Sequence, residues 1–439
     1  MSKEPSNKKN LGVILLTLFL DLVGFSIIFP LFPGMLDYYF TASGQSGILG
    51  WAIPILDGLT GGGHYTAVLF GGILGSLYSL MQFAFSPIWG RQSDRMGRKA
   101  ILKITILGTA LSYMVWALSG SFELLVLGRI LAGIMAGNIS VATAAVADMT
   151  SKKDRGKGMA LVGVAFGLGF ILGPALGALL SLVNPLDFVP ELESIGLNPF
   201  SVPALVALIL TLLNYVWVRT RFNESLNPEN RDLSSSPSSL TSVTKLLSAE
   251  HSGIRQVNWV YLIFLAAFSG MEFTLTFFAV ERFSYTPAQN GYIFIYVGFI
   301  LIIVQGGIVR QLTPKVGEKR MAILGLLCGV LAFLLLSNSN TQLLFYGSLT
   351  LLAFAGGLVN PSLTSLVSLY SDDERQGYHL GLFRSAGSLA RAIGPLIAAG
   401  IYWYFGSNTA YLFAGFVILI PLFRSLMLPI PNKEDEIPI

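Results

Sequence analysis

Five charged side chains stand inside long apolar runs: Asp21, Arg129, Glu272, Arg384 and Arg391. A lone charge at the centre of a membrane-spanning helix costs ~2.5–3.5 kcal/mol to insert, so it faces a cavity, finds a partner or exchanges a proton. Asp21 lies about ten residues into its run, near mid-depth. That suits a group that must load and release protons; the alternative is a hydrogen-bonded structural acid. Glu272 sits about fifteen residues into a later run, nearer the far side. It is a second candidate carboxylate for a proton or a substrate. Arg384 and Arg391 stand seven apart and share a helix face. Arg391 reads as structural. Arg384 is deeper and must be paired or wetted, either as counter-ion to Glu272 or as receptor for an anionic substrate. Arg129, about six residues inside the end of its run, either snorkels to the interface or sits inside the bundle.

The elements that carry these charges are membrane helices. Of 439 residues 53% are hydrophobic and 12% charged, against about 25% charged in a soluble domain, and mean hydropathy is +0.67. A spanning helix needs ~20 mostly apolar residues. Such runs occur at about 11–33, 66–89, 100–119, 123–147, 157–181 and 200–218, then at 257–281, 288–310, 320–338, 341–370, 377–403 and 408–430. The reading is an all-α membrane protein of twelve transmembrane helices. Residues 1–218 form one six-helix bundle, 219–256 a serine-rich polar linker and 257–439 the second bundle. The polar, basic start runs into the first apolar segment without a small-residue cleavage site, so that segment is read as a retained helix.

Basic residues orient the chain. They recur at the start (Lys3, Lys8, Lys9), between the second and third runs, between the fourth and fifth, in the linker and at the end. The loops of the other side hold one, Arg282. Both termini and the linker are therefore expected in the cytoplasm, and the bilayer that of a cell, bacterial inner or eukaryotic plasma. The outer loop 34–65, with Gly61–Gly63, reads as a solvent-facing connector or as a lid over an outer vestibule.

The halves repeat. Arg155-Gly156 precedes Gly173-Pro174 by the distance at which Gln376-Gly377 precedes Gly394-Pro395. A parallel repeat of two bundles with a site between them near midplane is an architecture of alternating-access proteins. Gly169, Gly173 and Gly177 recur every fourth residue, a smooth face for a neighbouring helix, and Pro174 invites a bend. Plain tight packing is the simpler use of such glycines.

Between the second and third runs lies a charged knot, Gly90-Arg91-Gln92-Ser93-Asp94-Arg95-Met96-Gly97-Arg98-Lys99, read as a tight turn. It resembles the signature loop of the major facilitator superfamily. Gly163–Gly177 resembles the antiporter motif G-x-x-x-G-P-x-x-G-G of that superfamily's drug:proton exporters, departing at Ala178. Leu127-Gly128-Arg129 is similar to the fourth-helix arginine motif, and Leu20–Pro33 to the first helix of tetracycline/proton antiporters. In the second half, Ser269-Gly270-Met271-Glu272 and Leu382-Phe383-Arg384-Ser385 resemble the eukaryotic tetracycline-transporter-like group, which is associated with organic anions.

The resemblance implies proton-coupled export of small organic or amphipathic molecules, with Asp21, Glu272 and Arg129 coupling protons and Arg384, Glu272 and Asp21 meeting substrate. It implies a gate of Gly90, Asp94, Arg95, Gly97, Arg98 and Asp148 that meets the eleventh helix near Asp372-Asp373-Glu374. The alternative is uncoupled or exchange-type organic-anion transport centred on Arg384. No cofactor is expected, the proton gradient supplying the energy, and a monomer is expected. The residues themselves argue against other classes. One cysteine, Cys328, and three scattered histidines build no metal site. No clustered acids or Ser-His set suggest intramembrane hydrolysis, and no G-x-x-x-x-G-K-[ST] loop suggests ATP use. Basic residues spread over many loops are no nucleic-acid footprint.

Overall fold

The computed structural model describes residues 4–43, 47–60, 65–150, 155–226, 252–371 and 376–430. The linker core with Asp232–Ser239, the glycines Gly61–Gly63 and the acidic run Asp372-Asp373-Glu374 lie outside them. All regular elements among the described residues are helices. Eleven are long and apolar enough to cross a bilayer, and the 30-residue helix Gln376–Phe405, the eleventh in chain order, completes the twelve.

Several boundaries differ from the sequence reading. The first span runs from Glu4 to Ser26, tightens into a 3-10 turn at Phe29–Leu31 and resumes over Phe32–Ser43. Pro30 and Pro33 withhold backbone donors there, which explains the break. The charged knot is no loop: the second span, Thr66–Met96, stays helical through it. The third, Arg98–Ala117, follows at once. Gly97 alone makes the turn, at φ +95°, a conformation that favours glycine. The fourth span breaks into Phe122–Met135 and Asn138–Met149. At the break, a side chain on Gly137 would overlap the Trp89 ring. The eighth span, Pro287–Ile303, widens into a π-turn at Val304–Val309. The outer loop holds a further helix, Gly47–Thr60.

The two halves pack alike. The first span lies on the fifth (Arg155–Leu180) and the third on the sixth (Ser201–Arg221). The seventh (Ser252–Phe283) likewise lies on the eleventh, and the ninth (Glu318–Ser337) on the twelfth (Ser407–Leu426). Between halves, the second span meets the eleventh and the fifth meets the eighth. Gly72 receives Pro395 and Ala399, and Gly291 receives Pro174 and Ala178. These contacts are repeat mates, so a parallel two-fold relates the bundles. Ala178, the departure from the antiporter motif, is thus accommodated by a glycine on the facing helix.

The interface is closed at the end away from the termini. There Gly34 packs against Phe200 and Pro287, and the Tyr65 and Tyr402 rings meet edge-on at 5.3 Å. Toward the termini, no atom of the described residues lies within 4 Å of where a Cβ would stand at Gly163 or Gly167 of the fifth span, Gly306 or Gly307 of the eighth, or Gly381 of the eleventh.

Candidate functional site

Two polar centres lie in the bundle. In the first half, Asp21 is 9% exposed and accepts a 2.6 Å hydrogen bond from the Asn138 side-chain amide. Asn138 is delivered by the break in the fourth span, and its own Oδ1 has no hydrogen-bond partner among the described residues. Sequence reading missed it because the run 123–147 was taken as continuous; the signal was Gly137-Asn138, a helix-breaking pair inside an apolar run.

Arg129 does not snorkel. It is 3% exposed, with its guanidinium 4.8 Å from the Tyr78 ring and 6.0 Å from those of Phe25 and Phe32. Nε and Nη2 have no hydrogen-bond partner among the described residues. Aromatic faces stabilise a desolvated guanidinium, and here they replace a carboxylate. No ion pair joins Arg129 to Asp21 among the described residues. Both charges act electrostatically on the buried Tyr78 and Tyr113.

The second centre lies between the halves. A narrow cavity of about 30 Å³, room for little more than a water molecule, is lined by Phe25, Phe29, Ser79 and Phe170 of the first half and by Glu272 and Arg391, among others, of the second. Arg391 lies over the Phe170 ring, 5.0 Å from its centre, and acts electrostatically on Glu272. The sequence reading took Arg391 as structural and Arg384 as counter-ion of Glu272 or receptor for an anionic substrate; the arginine that acts on Glu272 is Arg391. Arg384 stands two turns nearer the termini and donates to Thr143 Oγ1 of the fourth span at 3.4 Å, bridging the halves there. The shared face was legible, but which arginine reaches mid-depth depended on the tilt of the eleventh span. Asp21 is not in the cavity lining. On the far side, Phe32 meets Phe273 at 4.7 Å, an aromatic plug drawn from both halves.

The motif glycines pack within each half. A side chain on Gly169 would overlap Leu22, one on Gly173 would meet Ser26 and the Val23 carbonyl, and one on Gly177 would overlap the Ile27 carbonyl, all on the first span. Ser26 donates to the Gly169 carbonyl at 3.0 Å. Gly394, ahead of Pro395, abuts Ser269 and the Ala266 carbonyl in the second half as Gly173 abuts Ser26 in the first.

The charged knot builds a compact network. Arg98 is 6% exposed; its Nη1 donates to Asp94 and to Ser93 Oγ, each at 2.6 Å, and its Nε to Asp148 at 2.9 Å. Gly90 packs loosely near Ser140, and Arg95 is exposed. Glu224, which sequence reading passed over, accepts from the backbone N–H groups of Arg98 and Lys99 at 2.9 and 3.1 Å. It thereby caps the third span, where a carboxylate opposes the free donors. Replacing Arg98 by Ala leaves Asp94 and Asp148 without the guanidinium between them, while Ser93 keeps its bond to the Gly90 carbonyl. The expected loss is about 2–3 kcal/mol, the lower range for a broken buried pair because both acids are partly wetted. An unchanged unfolding midpoint for Arg98→Ala in detergent would show the network idle.

Comparison with known proteins agrees with this geometry. The family described as Major Facilitator Superfamily matches residues 14–334 and 311–438. The mouse (Mus musculus) major facilitator superfamily domain-containing protein 10 is 33% identical, over 99% of this chain and 96% of its own. The class H tetracycline resistance protein of Pasteurella multocida is 30% identical over 90% of each chain. Among solved structures, the human organic anion transporter MFSD10 (TETRAN) superposes with a TM-score of 0.76 at 32% identity, covering 95% of this chain and 99% of that one.

Proposed function

The chain belongs to the major facilitator superfamily of membrane transporters, and from that premise we propose that it is a proton-coupled antiporter exporting small organic or amphipathic molecules. It is a multi-pass transporter and not an enzyme. The observation that carries the proposal is Asp21: a carboxylate buried in the first span, held by one amide and by no ion pair among the described residues. Such a group is free to change its protonation state without breaking a salt bridge.

In this reading substrate enters the aromatic cavity from the end that bears the termini, which the basic residues assign to the cytoplasm of a cell. Glu272 and Arg391 orient it between Phe25, Phe29 and Phe170. Arg129, through Tyr78 and Tyr113, senses the charge on Asp21 and ties it to the packing of the second and third spans. The bundles then rock about the 2–11 and 5–8 contacts while the knot at Gly90, Asp94, Arg95, Gly97, Arg98 and Asp148 holds the near gate. The working unit is one chain, driven by the proton gradient.

A second reading, uncoupled or exchange-type organic-anion transport, is favoured by two guanidiniums on one face of the eleventh span, Arg391 in the cavity and Arg384 below it. The human relative of known structure is named an organic anion transporter. Proteoliposomes loaded with tetracycline or with fluorescein, an aromatic carboxylate, and then made proton-permeable separate the two. Gradient-driven flux should collapse on permeabilisation. Flux that survives and is lost in Arg391→Gln moves the assignment to uncoupled anion transport.

A further inference from the structure

The helix Gly47–Thr60 in the outer loop turns an apolar stripe away from the protein. Ile48, Trp51, Ile55 and Leu59 recur at helical spacing on its open side, with Trp51 71% and Leu59 65% exposed. The opposite side is also apolar. Leu49 is fully buried, and Ala52, Ile53 and Leu56 pack on the core cluster that contains Tyr39, Phe70 and Phe122. The only ionisable residue in the helix, Asp57, accepts from Thr66 Oγ1 at 2.8 Å. An apolar stripe of this kind marks a membrane or protein contact rather than a solvated connector.

Both ends of the helix are tied to the rim of the bundle. Ile48 N–H donates to Glu123 Oε1 at 2.9 Å, at the start of the fourth span, and Gly47 takes φ +62° where a side chain would overlap that carboxylate. The Asp57–Thr66 bond fixes the other end to the start of the second span. These tethers hold the helix at the level where the spans leave the bilayer. Just below, Leu124 and Leu127 of the fourth span and Ile73 of the second are exposed, as lipid-facing residues are. The helix packs on both of these spans. Fourteen residues, ~21 Å of helix, are too few to cross, but suffice to lie in the interface, where tryptophan is favoured.

We propose that Gly47–Thr60 is an interfacial helix, its Ile48–Trp51–Ile55–Leu59 face seated in the headgroup–acyl boundary of the leaflet opposite the termini. It is no solvent connector, since its open side carries four large apolar residues. It anchors the starts of the second and fourth spans to one leaflet, so that the first half keeps its depth while the second moves.

The test uses the full chain in phosphatidylcholine–phosphatidylglycerol proteoliposomes. Ile55→Cys and Leu59→Cys, in a Cys328→Ala background, receive nitroxide labels for power-saturation electron paramagnetic resonance. The expected result is collision with oxygen exceeding collision with a water-soluble nickel complex at both sites. Nickel dominance would place the stripe in water, and weak collision with both reagents would place it under protein, a second copy or a lid; either overturns the proposal. Brominated lipid supplies an independent readout in otherwise native protein. Part of the tryptophan fluorescence should be quenched, and Trp51→Phe should reduce that part, Trp217 on the sixth span supplying the remainder; equal quenching with and without Trp51 would also overturn it.

Discussion

Asp21→Asn is expected to reduce pH-gradient-driven substrate transport to the level of protein-free vesicles, while substrate binding and passive counterflow persist. The amide matches the carboxylate in size and can turn its oxygen toward the Asn138 amide, so the 2.6 Å contact survives in kind. What disappears is the exchangeable proton. Insertion of the span becomes easier, because the ~2.5–3.5 kcal/mol charge cost in the bilayer centre no longer applies, so loss of transport would not reflect loss of folding. A matching assay on detergent-purified protein in weak buffer follows proton release on adding tetracycline. The wild type should release protons and Asp21→Asn should not. Gradient-driven accumulation retained by Asp21→Asn would rule Asp21 out as the carrier and leave Glu272, whose Glu→Gln variant then becomes decisive.

The second large effect separates two glycines of one helix. Gly177→Val places branched carbons into the Ile27 backbone carbonyl, which cannot swing aside as a side chain can. Overpacking costs ~1–3 kcal/mol and sometimes more, and here the upper end is expected. Gly177→Val should aggregate or lose its monodisperse peak in size-exclusion chromatography. Gly167→Val, ten residues earlier, meets no atom of the described residues within 4 Å and should fold normally. It should nevertheless fail to transport, because Gly167 lies on the face that meets the eighth span further up. Closure of the end that bears the termini must bring that face together. Wild-type turnover in a well-folded Gly167→Val would show that the fifth and eighth spans do not close there.

The two halves share a frame but not a chemistry. The register that equates Ser26 with Ser269, each seated against a motif glycine, equates Asp21 with Phe264 and Phe29 with Glu272. Phe264 is fully buried among apolar neighbours. The acid of the first half thus stays inside its own bundle, bound to Asn138. The acid of the second half stands eight residues nearer the far side and opens into the shared cavity beside Arg391. That asymmetry is what allows one carboxylate to be assigned to the proton and the other to the substrate.

Spans, repeat and buried charges were legible in the chain because lipid imposes them residue by residue. A helix must be apolar for its length, a charge inside it must have a reason, and glycine is the residue that lets two backbones touch. Asp21, Glu272 and Arg129 stand out on that ground alone. The knot was legible as the turn between two spans, but not its extent: Gly97 alone makes the turn and the residues before it stay helical. Its cap, Glu224, is 126 residues from Arg98 and carries no local signal. Tertiary structure alone decided the partners. It brought Asn138 to Asp21 through the break at Gly137, set Arg129 among aromatic rings and chose Arg391 over Arg384 to face Glu272. The reason is geometric. Hydropathy and period place a side chain along a helix axis, but which face meets which neighbour depends on tilt, breaks and close glycine contacts, and these exist only once the bundles have packed.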